Sequence, residues 1–539
     1  TGDIPPTPFL TKDMTDIAQR LLRKAWLGHA FDNLRRQVRD RGEIFPADVM
    51  SPPDIHGEYL PRSLWRDGGG IDWPSVVRAE LMRTTGFRDG IITVLVAATP
   101  LTVESLRVAP DQLITELEEA VEQSRERGLA HAIAERGWLP MYGMPTRVRN
   151  LYLKLDRESE GSRRREWQQV DRDIDLAIYE FAPESTLVID KKEHLCVGFT
   201  PDLAPPRPGK KAQSLRAFQD DAFGDRFRMV ECAHCHSWAR LADEQGDRDC
   251  EGCGRLMHVA LAQDCRVPNA FRTNFFPKIR QEEVDAGVRH RSIQAEGKAL
   301  ELVDVAFAAA GAPCQVKLAF TKTARTYRLN RGPQKDTGQG FVVESGDQLG
   351  YPWSGIDVPL QVVTTDMKRS IRSFQPNGAA ERIWLAAPKT TDALFLLPGA
   401  VGRGLGLHRL PSRAETPSDV QERWLGIRAA ALSATYLIVN RASLELDIDP
   451  EEFDVLEPRI YGRTSQLPLL QITDHLINGA GFCNRLQSLE GGVPWVARLV
   501  ASILDDQNEY PREQFETAAH RSCDSACYVC LLRYGNQPF

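Results

Sequence analysis

The stretch Cys232–Cys253, CAHCHSWARLADEQGDRDCEGC, decides how the middle of this chain must fold. Cys232 and Cys235 form one C-x2-C knuckle, Cys250 and Cys253 form another, and fourteen residues separate the pairs. Two such knuckles let four thiolates converge tetrahedrally on one Zn(II), with the intervening residues forming a hairpin. A redox C-x2-C pair is the main competitor, but two pairs at this spacing favour the metal site. Gly252 and Gly254 suit it, because knuckle turns use backbone conformations that glycine adopts most cheaply. His234, His236 and His258 lie close by and could replace a cysteine. Four thiolates already close a structural site, so the histidines read as bystanders and the site carries no catalysis.

A second cluster lies near the end of the sequence. Cys523, Cys527 and Cys530 (CDSACYVC) form a C-x3-C-x2-C array nine residues before the last. Three ligands need a fourth. Cys483, in Asn478–Cys483 (NGAGFC), is the first choice, because another thiolate completes a four-cysteine set and a glycine-rich turn brings backbone close to a metal. His520 is the alternative. The same spacing anchors the [4Fe–4S] cluster of radical enzymes that use S-adenosylmethionine, but those need most of a barrel after the motif and only Leu531–Phe539 follows here. Zinc and a structural iron–sulfur cluster both stay open at this second site. Cys196, Cys265 and Cys314 stand apart and read as buried apolar residues.

The remainder of the sequence frames these clusters. At 539 residues the chain is too long for one hydrophobic core, and three or four domains are expected. It is 42% hydrophobic and 26% charged, as ordinary soluble proteins are. No apolar run approaches the roughly 18 residues that span a bilayer. Thr1–Leu10 (TGDIPPTPFL) has no signal-peptide shape, so the chain reads as a cytoplasmic segment that starts in mid-protein. The net charge of −7 gives no global attraction to nucleic acid, although 67 lysines and arginines leave room for local basic faces.

Along the chain, Thr11 or Asp13 caps an expected helix with an apolar stripe at Ile17, Leu21 and Ala25. Arg20, Arg23, Lys24, Arg35, Arg36 and Arg39 on it are a phosphate-contact candidate set, each more simply a solvated face. Residues 45–75 hold little regular structure, and Gly90–Ala98 (GIITVLVAA) reads as a buried strand. Asp111–Arg127 reads as an amphipathic helix facing inward through Leu113, Leu117 and Val121. Glu158–Arg165 (ESEGSRRR) reads as an exposed loop and Pro201–Lys211 as a linker. A helix is expected near Gln294–Ala310, strands at Val316–Phe320 and Tyr327–Val343, and a long helix around Asp419–Glu445. Leu467–Asp474 precedes the glycine-rich turn. The fold class is mixed α/β and multidomain: helical and α/β segments, a zinc-ribbon module, and an α/β C-terminal four-cysteine metal-binding domain.

Several stretches together resemble one family, the superfamily-two DNA helicases of MrfA type, including those of the DISARM and Druantia anti-phage defence systems. Gly137–Arg149 (GWLPMYGMPTRVR) and Arg172–Ser185 (RDIDLAIYEFAPES) are similar to segments those helicases carry ahead of a zinc ribbon, and Pro268–Thr273 (PNAFRT) to the segment after it. TGDIPPTPFL resembles the exit from their second motor lobe. Asp474–Cys483 (DHLINGAGFC) with Cys523–Gln537 (CDSACYVCLLRYGNQ) resembles their C-terminal zinc-binding domain. Some relatives place a fourth cysteine shortly after the triplet, and this chain has none there. The resemblance implies a post-motor linker and helix at 1–45 and a mixed α/β accessory domain at 46–200. It implies a linker at 201–212, the zinc-ribbon module at 213–290, and an α/β domain ending in the zinc-binding domain at 291–539.

The motor is missing. The sequence holds no G-x4-G-K-[ST] phosphate loop and no Asp-Glu-Ala-His box, so nothing in it cradles ATP phosphates or holds Mg(II). The expectation is a DNA-engaging accessory region of an ATP-dependent helicase or translocase in anti-phage defence or repair, inactive alone. Its partners would be DNA and the motor domains or a helicase subunit, with no membrane. The alternative is a zinc-stabilised scaffold that docks a partner helicase without touching DNA. Arg147 and Arg149, Arg163, Arg164 and Arg165, and on resemblance Arg272, are the candidate phosphate contacts, since a guanidinium donates two hydrogen bonds at once. Glu445, Asp447, Asp449 and Asp474 could be imagined as a nuclease set but read more simply as a helix end and loop. Gly402–Gly406 (GRGLG) is a weak dinucleotide motif.

Overall fold

The computed structural model describes residues 15–49, 59–67, 70–97, 99–123, 128–135, 137–139, 147–155, 167–203, 222–241, 246–273, 278–279, 293–297, 299–332, 340–346, 353–354, 376–399, 417–462, 467–505, 517–518, 520–523, 526–527 and 530–532. The chain divides into two compact units, Thr1–Arg147 and Val148–Phe539, and the division falls inside the segment 46–200. Helices and strands mix across several cores, as the sequence indicates.

The first unit is helical. Helices Thr15–Asp40, Trp73–Arg83, Pro110–Gln123 and Leu129–Glu135 share a core around Trp26, Phe31, Val77 and Leu81. Leu113, Leu117 and Val121 join it, as their spacing demands. The first helix turns differently from expectation. Ile17 and Leu21 are 44% and 41% exposed, and the buried stripe runs one residue later, through Ala18, Leu22, Trp26, Ala30 and Leu34. One residue is 100° of helix, and the bulk of Trp26 and Phe31 wins the contest for the core. The expected strand Gly90–Ala98 lies in a helix, Thr85–Ala97, because a short apolar run does not distinguish the two states.

The second unit is built on one long strand, Pro376–Pro398, of 23 residues. It pairs antiparallel with Ala312–Asn330, from Val316 opposite Pro398 to Asn330 opposite Leu385, across a bulge at Thr321–Ala324. It also pairs antiparallel with Leu467–Asp474 and Phe341–Gly346, and parallel with Gln263–Pro268. Leu467–Asp474 is buried along its whole length, and the helix Pro417–Leu446 packs Leu432, Val439 and Ala442 into the same core.

The helix expected near Gln294–Ala310 is instead two strands, Ile293–Ala295 and Val303–Ala309. Val303–Ala309 pairs with Ala312–Asn330 through a two-residue turn in which Ala310 and Gly311 have φ of 50° and 73°. Two positive φ values in a tight hairpin are the type I′ signature, and long-range pairing here overrides the helix propensity of an Ala/Glu/Leu-rich sequence.

Candidate metal centres

The segment after strand Phe223–Glu231 turns back at Cys232–Cys235 into strand Trp238–Leu241, and a short hairpin, Arg248–Asp249 with Leu256–Met257, carries Cys250 and Cys253. The two knuckles repeat one hydrogen-bond pattern. Cys232 N–H donates to Ser237 O (2.8 Å) and His236 N–H to Cys232 O (2.9 Å); Cys250 N–H donates to Arg255 O and Gly254 N–H to Cys250 O, both at 2.7 Å. The fourth residue after each leading cysteine is left-handed: His236 at φ 61° and Gly254 at φ 72°. Gly252 is needed for another reason, since a Cβ there would stand 2.6 Å from Ser237 Oγ.

All four sulfurs are buried and lie within 4.8 Å of one another, with Cys232–Cys253 at 3.7 Å and Cys235–Cys250 at 3.5 Å. A tetrahedron with metal–sulfur bonds of about 2.3 Å has edges of about 3.8 Å, so the set fits a single ion. Contact with Cys232 pushes the Cys235 thiol up and the Cys250 thiol down. Two of the nearby histidines have other partners. His236 stacks on Trp424 at 4.2 Å and meets Glu231 at 2.9 Å, and His258 meets Asp247 at 2.9 Å.

The second group is His520, Cys523, Cys527 and Cys530, again within 4.8 Å of one another and able to hold an ion. Cys523 N–H donates to His520 O, and Cys530 N–H to Cys527 O, each at 3.0 Å. Cys527 N–H also points at Cys530 Sγ, 3.2 Å away. Only Cys530 is buried.

His520, the alternative fourth ligand, stands with the triplet, whereas Cys483 is not part of that group. Cys483 lies in the core with Ile472, Leu486 and Trp495, its Sγ 3.6 Å from Ile472 O. Burial, and then the Asp474 carboxylate, push its thiol well above the ordinary range, which opposes the thiolate that a metal needs.

The glycine-rich turn serves Asp474 instead. Its Oδ2 accepts the N–H of Ala480 and Gly481 at 2.7 Å and of Phe482 at 3.1 Å, and Oδ1 accepts that of Cys483 at 2.8 Å. Such a nest of amides is an anion site that this chain fills with its own carboxylate. Gly479, at φ 78°, has no room for a side chain, because a Cβ would sit 2.4 Å from the Asp392 carboxyl. The imagined nuclease set therefore dissolves into structural roles. Asp474 occupies the nest, Asp449 caps a turn at Glu451, Glu445 pairs with Arg441, and Asp447 ends the long helix with φ 55°. A buried network lies beside it: Asp454 takes Arg328 at 2.9 Å and Lys389 on its two oxygens, and Arg328 also reaches Asp175 at 3.2 Å.

The candidate phosphate contacts fare differently. Arg272 lies on strand Ala270–Thr273 at 2% exposure, and burial pulls its guanidinium down to about 10. Arg149 turns inward, donating from Nε to Pro268 O at 2.7 Å. Arg147 is half-buried. Arg163, Arg164 and Arg165 lie outside the described residues, as do Gly402–Gly406 and most of the 201–212 linker. On the first helix, Arg23 forms a bidentate pair with Glu116, Arg36 pairs with Asp32, and Arg35 and Arg39 share Asp48.

No protein-family model matches the chain. It is similar to Druantia protein DruE of Escherichia coli (strain UMEA 4076-1). The two are 24% identical over 415 residues, which covers 74% of this chain and 20% of DruE. The chain thus spans about a fifth of that relative's length. Among solved structures, the DUF1998 helicase MrfA bound to DNA covers 80% of this chain and 38% of its own, at 11% identity and a TM-score of 0.29. A superposition that loose settles no fold. No helix among the described residues is long and apolar enough to cross a membrane.

Proposed function

We propose that this chain is the DNA-engaging accessory region of an ATP-dependent helicase or translocase of anti-phage defence or DNA repair, carrying one zinc ion in each four-residue group. The observation that carries this reading is the pair of complete ligand sets, on a chain similar to DruE for 415 residues. Borderline-soft Zn(II) suits both four sulfurs and three sulfurs with one imidazole. The ions would stiffen small modules, and exposed cations such as Lys191, Lys192, Lys322 and Arg325 would meet the nucleic acid backbone.

The second reading, a scaffold that docks a helicase subunit, is favoured by one fact: Arg23, Arg149 and Arg272 are spent on internal partners or buried. Binding to a labelled single strand across a salt series, with and without chelation, separates the two. Affinity that falls steeply with salt and collapses on chelation supports the DNA platform. Absence of binding at low salt overturns it and leaves the scaffold.

A further inference from the structure

We propose that Arg459 is a positioning residue of the first metal centre, acting through Ser237 on the Cys235 sulfur. The segment Arg459–Gly462 then makes that centre the joint between the ribbon and the C-terminal sheet. This rests on the reading that the four cysteines bind a metal.

Four thiolates on a divalent ion carry a net charge of −2, and burying such a charge without compensation is costly. Arg459 comes from strand Arg459–Tyr461, more than two hundred residues beyond the knuckles, and is 2% exposed. Its Nη1 donates to Ser237 Oγ at 3.1 Å, and Ser237 Oγ lies 3.2 Å from Cys235 Sγ. A metal-bound thiolate can only accept. A serine oxygen that accepts from arginine keeps its own proton to give to that sulfur, so the donors run Arg459 to Ser237 to Cys235. Burial lowers the affinity of Arg459 for its proton, and the charges that counter this are first Cys235, then Tyr461, Cys250 and Glu251.

The backbone makes the same connection. Ile460 N–H donates to Cys235 O at 3.0 Å and Gly462 N–H to Gly252 O at 3.1 Å, one bond to each knuckle. The approach is close on every side. A Cβ on Gly297 would come 2.8 Å from Arg459 Nη1, and one on Gly252 would strike Ser237. Trp424 and Ile427 of the long helix complete the grip on the ribbon side.

The test uses the full zinc-loaded chain with Arg459→Gln, Arg459→Lys and Ser237→Ala. Zinc affinity is read by competition with a chromophoric chelator, and iodoacetamide alkylation of each cysteine by mass spectrometry, which separates the two centres. Arg459→Gln is expected to weaken zinc at the first centre by about 10–100-fold and to accelerate alkylation of Cys235 more than of Cys232 or Cys253. Arg459→Lys should recover most of the affinity, and Ser237→Ala should reproduce the Cys235 effect on a smaller scale. Unchanged affinity and alkylation in Arg459→Gln would overturn the proposal. So would equal acceleration at all four cysteines with no rescue by lysine, since that marks lost packing alone. If Arg459→Gln fails to fold, wild-type Cys235 reactivity in Ser237→Ala overturns it instead. A wild-type chain without zinc at these cysteines sinks the underlying metal reading, an outcome visible before any variant is made.

Discussion

The two ligand groups differ in what surrounds them. The first is buried, made of two knuckles with matching hydrogen bonds, and held from the far end of the chain by Arg459–Gly462 and Trp424. The second is mostly half-exposed, with backbone N–H groups of Cys523 donating to His520 O and of Cys530 and Leu532 to Cys527 O. An ion at the first centre would sit in a buried, packed frame, and one at the second in a more exposed group. The lesson is that ligand chemistry alone does not say how far the loss of a metal propagates.

The sharpest break would come from removing one ligand in each. Cys250→Ser should lower zinc from two ions per chain to one and loosen the C-terminal sheet as well, with a stability loss of several kcal/mol out of a binding free energy on the order of 10 kcal/mol. Cys527→Ser should remove one ion also, but hydrogen exchange should change only around the last residues. Equal loss of protection across Leu467–Asp474 in both variants would erase the distinction drawn here.

The next effect concerns how the C-terminal sheet is held apart from metal. Asp454→Asn leaves Lys389 and Arg328 without their shared carboxylate and should cost about 3–5 kcal/mol. Burial opposes the Asp454 charge, but Arg328 and Lys389 outweigh it and hold the carboxyl well below the usual range. A depressed folded pKa means that the contribution is complete above the unfolded value of about 4 and is lost progressively as pH falls from there through the folded value. The urea midpoints of wild type and Asp454→Asn should therefore lie closer together at pH 3 than at pH 7. A constant gap would show that the carboxylate charge is not what Asp454 contributes.

The identity of the fourth ligand comes third. His520→Ala should release zinc from the second centre, by at least the 10–100-fold expected even of an outer partner. Cys483→Ala should keep both ions and lower stability by about 1–2 kcal/mol as a small core truncation. Zinc stoichiometry by mass spectrometry decides, and loss of an ion from Cys483→Ala would restore the four-cysteine set.

These contrasts also mark what could be read in advance. Both cysteine clusters were legible because ligand spacing is local and chemically narrow, and the long helix at 417–446 because its pattern lasts many turns. The first helix was legible in position but not in rotation, since Ile17 and Leu21 look as apolar as the residues that won. The 293–309 strands were hidden because pairing with Ala312–Asn330 is non-local. Ser237 sits two residues from Cys235 and was within reach of the motif, whereas nothing near Arg459 in sequence points to a metal. The inward placement of Arg149 and Arg272 was hidden for a related reason: residue type does not report which side of a strand faces the core.

The smallest expected effect tests the matching knuckles against each other. His236 and Gly254 occupy equivalent positions with left-handed φ, yet only one is glycine. Gly254→Ala places a Cβ in a conformation that costs about 1–2 kcal/mol. His236 already bears that strain, and its stack on Trp424 and contact with Glu231 offset it. His236→Gly removes both the strain and the contacts, so its net effect should stay within about 1 kcal/mol of zero. Adding Trp424→Ala to His236→Gly should then do less harm than adding it to wild type, because the stack is already gone. Thermal melts of the four chains in that cycle measure the coupling. Strict additivity would mean that the histidine is not held by the long helix, and that the first knuckle tolerates its strain without help from the C-terminal domain.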